Sequence, residues 1–444
     1  MDTVFCNVTA VTMDEAMHIL PGAFVGVRGG RIAYIGRKMP AEPVKEAIDG
    51  TGMVLMPGLI NCHTHLAMTG LRGWSDDKPL QPWLEDCGKI EDKLDDRAVR
   101  CMTQLGLMEL LRFGTTSFSD MYDHVDAIAQ AVAECGIKAN LARGTTMFLG
   151  DGFDWRTFPA CVELRECVEK WHEYDDGRIR IEASVHGEYT STYQLWEALA
   201  DYAADENLGM HVHLSETRDE HEACLERNGL TPAQVLDCHR VWDTRAMAAH
   251  CVWLDEEDMG LLARRHVSAV HCPVSNLKLG SGIAPVVKLR AEGMNVALGT
   301  DSAASNNNLD LFEEIKTAAL LAKVQSGDPS ALPAAEVLKM ATRGGALAQG
   351  RDDECGQIAI GMDADLILLD FTQPHLIPCH NVVSQLVYAA SGHDVALTMV
   401  RGKILYRDGT FLTIDELAVL RELKDYVIPN FFEAKDEDKT GDKA

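Results

Sequence analysis

Apolar and polar positions alternate in short runs at the two ends of the chain, separated by glycines and prolines. Near the start such runs cover residues 4–11, 23–27 and 31–35, and the Gly29-Gly30 pair between the last two marks a tight hairpin. Near the end, runs at 358–360, 364–369, 397–400 and 403–406 repeat the pattern, with a second hairpin at Gly402. The two β-rich ends flank a middle of different character, which predicts that they pair into one small β-sandwich.

The middle alternates strand-like and helix-like segments. Strands are predicted at 58–65, 115–120, 138–143, 179–185, 209–214, 246–251, 267–272 and 295–299. Helical period appears between most of them, as at 98–113, 125–135 and 193–206. Eight strands, each followed by a helix or loop over roughly 250 residues, predict an α/β fold of the (β/α)8 TIM-barrel type. A doubly wound open sheet is the competing arrangement. The predicted organisation is residues 1–57 and 357–415 for the two parts of the sandwich and 58–356 for the barrel. Residues 416–444 form a C-terminal helix and a charged tail expected to fray from about Lys435.

Composition narrows the class. With 46% hydrophobic and 25% charged residues, the 444-residue chain can fill a large core. The apolar runs are too short for a transmembrane helix. Residues 1–9 do not read as a secretion signal, so a cytoplasmic location is expected. A net charge of −27 argues against nucleic acid or an anionic membrane as partner. The thirteen cysteines form no CxxC pair and are expected to be reduced and mostly buried. Cys62, Cys251 and Cys272 each adjoin a histidine, and strand alternation should turn these sulfurs away from whatever the histidines bind.

The histidines give the middle its chemistry. His63 and His65 end the first barrel strand, His213 the fifth and His250 the sixth, and Asp301 follows the eighth. Residues two apart on a strand project to one face, so His63 and His65 can reach one point in the barrel mouth, where TIM barrels gather their catalytic groups. Three imidazoles and a carboxylate suit one divalent cation, most naturally zinc, with iron(II) or manganese also compatible. His211 shares a face with His213 but sits two residues deeper and is expected to be buried and hydrogen-bonded rather than a ligand. Glu216, where the fifth strand turns into its loop, is placed for proton transfer beside a Lewis acid. His250 can be a ligand or a base, and Asp301 is its counterpart. The fourth strand ends at Val185-His186-Gly187 without a lysine to bridge two metals, so one metal is the simpler arrangement. Walker A, GxSxG and HxE…PCxxC signatures do not occur, although His186-Gly187-Glu188 supplies the first half of the last.

Five motifs in order carry a resemblance: Pro-Gly-Leu-Ile-Asn-Cys-His-Thr-His (57–65), His-Leu-Ser-Glu-Thr (213–217), Ala-His-Cys-Val-Trp-Leu (249–254), His-Cys-Pro-Val-Ser-Asn-Leu-Lys-Leu (271–279) and Leu-Gly-Thr-Asp-Ser (298–302). Together they resemble the amidohydrolase superfamily. The nearest branch is that of the 5′-methylthioadenosine/S-adenosylhomocysteine deaminases and the triazine chlorohydrolases.

The resemblance implies a metal-dependent hydrolytic deaminase acting on a small nucleoside-like substrate, usually as a homo-oligomer. A hydrolase of another amino- or chloro-substituted N-heterocycle, such as guanine or a triazine, is the alternative. On this chain the resemblance makes His63, His65, His213 and Asp301 the metal ligands. Glu216, His250 and Asp301 become the catalytic acid–base groups. Glu91 would hold ribose hydroxyls, Trp83 would line the pocket, and His186 would touch the nucleoside. Arg143 and Arg156 would lie near the amino-acid or thioether end of the substrate. Around His186 the family commonly reads Pro-His-Ser-Pro-Tyr-Thr, whereas this chain has Val-His-Gly-Glu-Tyr-Thr, an expected change in the shape and charge of the pocket wall.

Overall fold

The computed structural model describes residues 1–147 and 153–433. Nine strands form one sheet from the two ends of the chain. The N-terminal part contributes β1 (Thr3–Val11), β2 (Ile19–Arg28), β3 (Arg31–Gly36), β4 (Glu46–Asp49) and β5 (Met53–Pro57). The next eight strands build the barrel: β6 (Leu59–Thr64), β7 (Thr115–Tyr122), β8 (Lys138–Arg143), β9 (Ile179–Val185), β10 (Met210–Leu214), β11 (Ala246–His250), β12 (Ser268–His271) and β13 (Val296–Leu298). The chain then returns to the first sheet through β14 (Leu366–Asp370), β15 (Val395–Val400), β16 (Lys403–Arg407) and β17 (Thr410–Phe411).

Each barrel strand pairs in parallel with its sequence neighbour, from β6 through β13. All eight are fully buried apart from Arg143 on β8 and Arg180 on β9, which are half-buried. Covered on both sides, as parallel strands are, they bury polar residues such as Ser117, Ser119, Asn140 and Glu182 along with the apolar ones. The first and last strands meet through side chain and backbone: Asp301 N–H donates to the His63 carbonyl at 3.0 Å, and Asn61 accepts from Thr300 N–H at 3.1 Å. Gly299 makes this approach possible. A Cβ there would lie 2.9 Å from the backbone nitrogen of His63 and 3.0 Å from its carbonyl oxygen.

In the terminal sheet β5 is the joint. It pairs in parallel with β1 and antiparallel with β14, so both ends of the chain share one ladder. Phe5, Val25, Ile32, Leu55, Leu366 and Met399 bury one core between the two contributions. The two predicted hairpins touch: a Cβ on Gly30 would lie 2.8 Å from the carbonyl oxygen of Arg401, and one on Gly402 would lie 2.9 Å from the Gly30 Cα. Residues 358–360, expected as a strand, are not one. Ile358 is buried and donates to the Thr12 carbonyl at 2.7 Å, while Ile360 is exposed, so the run anchors a turn instead.

A buried lysine fastens sheet to barrel. Lys138, at the start of β8, lies 2.8 Å from Asp363 and 2.7 Å from Asp365. These two carboxylates precede β14 and are themselves almost fully buried. The C-terminal helix runs over Glu416–Glu422 and continues as a wider turn to Phe432, and the tail expected to fray lies outside the described residues. Among the described residues no helix is long and apolar enough to cross a membrane.

Candidate metal centre and active site

His63, His65 and His213 bring one ligand atom each within 4.8 Å of one another, and so do His63, His250 and Asp301. Their places at the C-terminal ends of β6, β10, β11 and just past β13 explain the convergence. The far nitrogen of most rings is already engaged. His65 Nδ1 meets the Met121 carbonyl, His213 Nδ1 the His186 carbonyl at 2.7 Å, and His63 Nδ1 the His211 Nε2 at 3.0 Å. An imidazole whose Nδ1 is held in this way presents Nε2 as the coordinating atom. The Nε2 of His63 is buried and has no hydrogen-bond partner, an orphan a cation would satisfy. His65 and His213 approach Nε2 to Nε2 at 3.2 Å, and Asp301 Oδ1 lies 3.4 Å from His65 Nε2 and 3.6 Å from His63 Nε2. Burial, reinforced by repulsion from the neighbouring rings, holds His63 and His213 well below the usual imidazole range, so both stay neutral and able to coordinate. This donor set fits one divalent cation. His211 is fully buried against His63, and no cysteine joins either cluster among the described residues.

The candidate acid–base groups are fixed from behind. Asp301 Oδ2 accepts from Ser275 Oγ at 2.6 Å, and Oδ1 accepts from Ser302 N–H at 2.7 Å. His250 Nδ1 contacts Asn276 Oδ1 at 2.9 Å, leaving Nε2 3.7 Å from Glu216 Oε2. Glu216 Oε1 accepts from Ser281 Oγ at 3.2 Å, while Glu220 accepts from the Glu216 N–H at 2.8 Å. Burial pushes the Glu216 carboxyl above its ordinary range, with His250 pulling the other way. Burial works against charge on His250, but the Glu216 and Asp301 carboxylates lift it above its usual value. Backbone strain gathers here: Ser215, His250, Cys251 and Asp301 all have positive φ, at 47°, 74°, 50° and 60°. Non-glycine residues seldom adopt this region.

A cavity of about 510 Å³ opens beside these groups, large enough for a nucleoside. His65, His186, His213, Glu216, His250 and Asp301 face into it. The helix Leu80–Glu91 contributes Trp83 and Glu91 to its wall. Trp83 is 5% exposed and its Nε1 has no partner. Glu91 accepts from the Tyr122 hydroxyl at 2.7 Å, and burial pushes its carboxyl above the usual range while Tyr122 opposes the shift.

Two expected contacts are not brought to the cavity. Arg143 turns its guanidinium onto Glu163 and Asp123, and Arg156 is exposed, its carbonyl accepting from Arg165. Glu188 also leaves the wall. It is 4% exposed and is held by Arg227 and Asn228 on the helix Arg218–Asn228, so the changed motif acts on a strut and leaves Tyr189 facing the cavity. Tyr122, Ser275, Asn276, Ser281 and Glu220 went unassigned from the sequence. Ser275, Asn276 and Ser281 lie in or just after the 271–279 motif, which marked the segment without revealing the partners.

The sequence profile of the Amidohydrolase family matches residues 54–405. A 5-methylthioadenosine/S-adenosylhomocysteine deaminase of Pelotomaculum thermopropionicum is 43% identical over 421 residues, covering 93% of this chain and 95% of that protein. A 5′-deoxyadenosine deaminase of Methanosarcina acetivorans is 41% identical over 427 residues, covering 95% and 97%. Among solved structures, an adenosine deaminase from Xanthomonas campestris with bound zinc superposes with a TM-score of 0.90 at 32% identity, covering 96% of this chain and 98% of that one.

Proposed function

Because this chain belongs to the amidohydrolase family, we propose that it hydrolyses the exocyclic amine of an adenosine derivative, releasing ammonia and the inosine analogue. The candidate substrates are 5′-methylthioadenosine, S-adenosylhomocysteine and adenosine, and the resident cation is zinc, with iron(II) or manganese as substitutes. The observation that carries this reading is the pairing, across one cavity, of Glu216 beside the imidazole cluster with Glu91 held by Tyr122. A carboxylate can accept both hydroxyls of a ribose, which neither guanine nor a triazine offers. The named relatives, all deaminases of adenosine derivatives, point the same way.

His63, His65, His213 and Asp301 would hold the cation, which when bound acidifies a water and polarises it toward attack. The chain's own groups then move the protons. His250 Nε2 and Asp301, both carboxylate oxygens of which accept hydrogen bonds, would take the water's proton. Glu216, with its raised carboxyl, would protonate a ring nitrogen and recover a proton from the added hydroxyl as the carbonyl forms, while the proton taken up by His250 or Asp301 would pass to the departing amine. Trp83 and the helix it sits on form part of the cavity wall.

Ammonia release from the zinc-loaded protein, offered the three adenosine compounds, guanine and a triazine, tests the reading. Fast release confined to the adenosine compounds is expected. Release from guanine alone, or triazine hydrolysis at comparable rates, would overturn it.

A further inference from the structure

Beneath the candidate ligands the barrel interior buries polar groups that the ligand set leaves unexplained. His63 Nδ1 lies 3.0 Å from His211 Nε2, and one of these two nitrogens must carry the hydrogen between them. A neutral His63 that coordinates through Nε2 keeps its hydrogen on Nδ1, so His211 Nε2 accepts and the His211 hydrogen sits on its own Nδ1. The opposite arrangement would put a hydrogen on the coordinating atom of His63. His211 Nδ1 is buried and has no hydrogen-bond partner among the described residues. A buried donor left in that condition is costly.

Two oxygens in the same condition lie on the neighbouring strand. Ser184 on β9 is the register partner of His211 on β10, and its Oγ is buried and unpartnered among the described residues. Glu182 lies two residues earlier on the same face of β9. Its Oε1 accepts from Asn140 Nδ2 at 2.8 Å and from Arg245 Nη2 at 2.7 Å, while its Oε2 is buried with no such partner. Burial works against charge on Glu182, but Arg245 and then His211 outweigh it and hold the carboxyl below its usual range. One donor and two acceptors on adjacent strands match a single water. It would accept from His211 Nδ1–H and donate one hydrogen each to Glu182 Oε2 and Ser184 Oγ, and about three bonds are the ordinary complement of a buried water.

We propose that His211 and Glu182 are positioning residues for the metal ligand His63, joined to each other by one buried water that Ser184 completes. Arg245 anchors the carboxylate, the carboxylate orients His211 through the water, and His211 fixes which nitrogen of His63 faces the cation. None of these four residues lines the cavity, so their effect is read in the hold on the cation. The inference rests on the reading of His63 as a ligand.

The test titrates zinc into the zinc-free protein against a competing chelator and records the absorption spectrum of the cobalt(II)-substituted form. His211→Leu, which removes the acceptor for His63 Nδ1–H, is expected to weaken zinc about 10- to 100-fold, the range for a lost outer partner of a metal ligand, and to shift the cobalt bands. His211→Gln, whose amide oxygen can stand in for Nε2, should recover most of the affinity and the wild-type bands. Glu182→Gln and Ser184→Ala should weaken zinc in the same direction. A crystal structure of the zinc-bound protein should show one water bonded to His211 Nδ1, Glu182 Oε2 and Ser184 Oγ. Wild-type zinc affinity in all four variants, or an equal loss in His211→Leu and His211→Gln, would overturn the proposal, as would a dry interior at these three atoms. Zinc binding is measured without substrate, so the result stands apart from the deaminase reading. A wild-type protein that binds no zinc would overturn the reading of His63 as a ligand and this proposal with it.

Discussion

At the scale of single residues, Glu216 carries the clearest prediction. Its carboxyl is buried, raised and oriented by Ser281, and it is not needed to hold the cation. Glu216→Gln should retain bound metal while kcat falls by about 10²- to 10⁴-fold, the usual range for a lost general acid–base group. Metal analysis beside steady-state kinetics checks both halves, and near-normal turnover would remove Glu216 from proton transfer. Tyr122→Phe should raise KM for ribosyl substrates and spare free bases, because the hydroxyl that fixes Glu91 is lost; equal effects on both would mean that Glu91 does not meet a ribose. The convergence of His63 and His65 was legible in the sequence because period-two spacing at a strand end decides direction by itself. Arg143 was not, since Asp123 and Glu163, which claim its guanidinium, lie twenty residues away on either side. Nothing in the local pattern ranks those partners above a substrate.

At the scale of elements, closure of the barrel decides whether the centre forms. Gly299 lets β13 approach β6 and so delivers Asp301 to His63. Gly299→Ala forces a methyl into backbone atoms of His63, a cost of about 1–3 kcal/mol by analogy with overpacked cores. It should also loosen the cation, read as metal lost on dialysis together with a lower unfolding midpoint. Full metal retention at wild-type stability would show that the strands part without consequence. The eight barrel strands were readable from strand-like segments between helical stretches, and each falls within a few residues of its expected place. The pattern was blind to β4 and β5, which are short and flanked by turns, and it misread residues 358–360, where a buried Ile358 anchors a turn. Periodicity reports burial, and burial alone does not say whether a neighbour is a strand.

At the scale of the whole molecule, the ionic joint between sheet and barrel and the metal centre are separate sources of stability. Lys138→Met strands the buried carboxylates of Asp363 and Asp365 and should cost roughly 3–5 kcal/mol in chemical denaturation. The joint lies at the opening end of β8, so the turnover of molecules that remain folded should be preserved. A loss of turnover without a loss of stability would contradict this division. Removing the cation with a chelator should abolish activity and lower the melting temperature, because a ligand bound only by the native state stabilises it by mass action. The joint β5 has a further consequence for biosynthesis. On a ribosome adding 5–20 residues per second, β5 emerges roughly 15–60 s before β14, its antiparallel partner some 300 residues downstream. For that interval the nascent sheet offers an unpaired, apolar edge to any other strand it meets. The chain's need for a chaperone, or its tendency to aggregate at high expression, is therefore set by the time its first domain waits for its last strands.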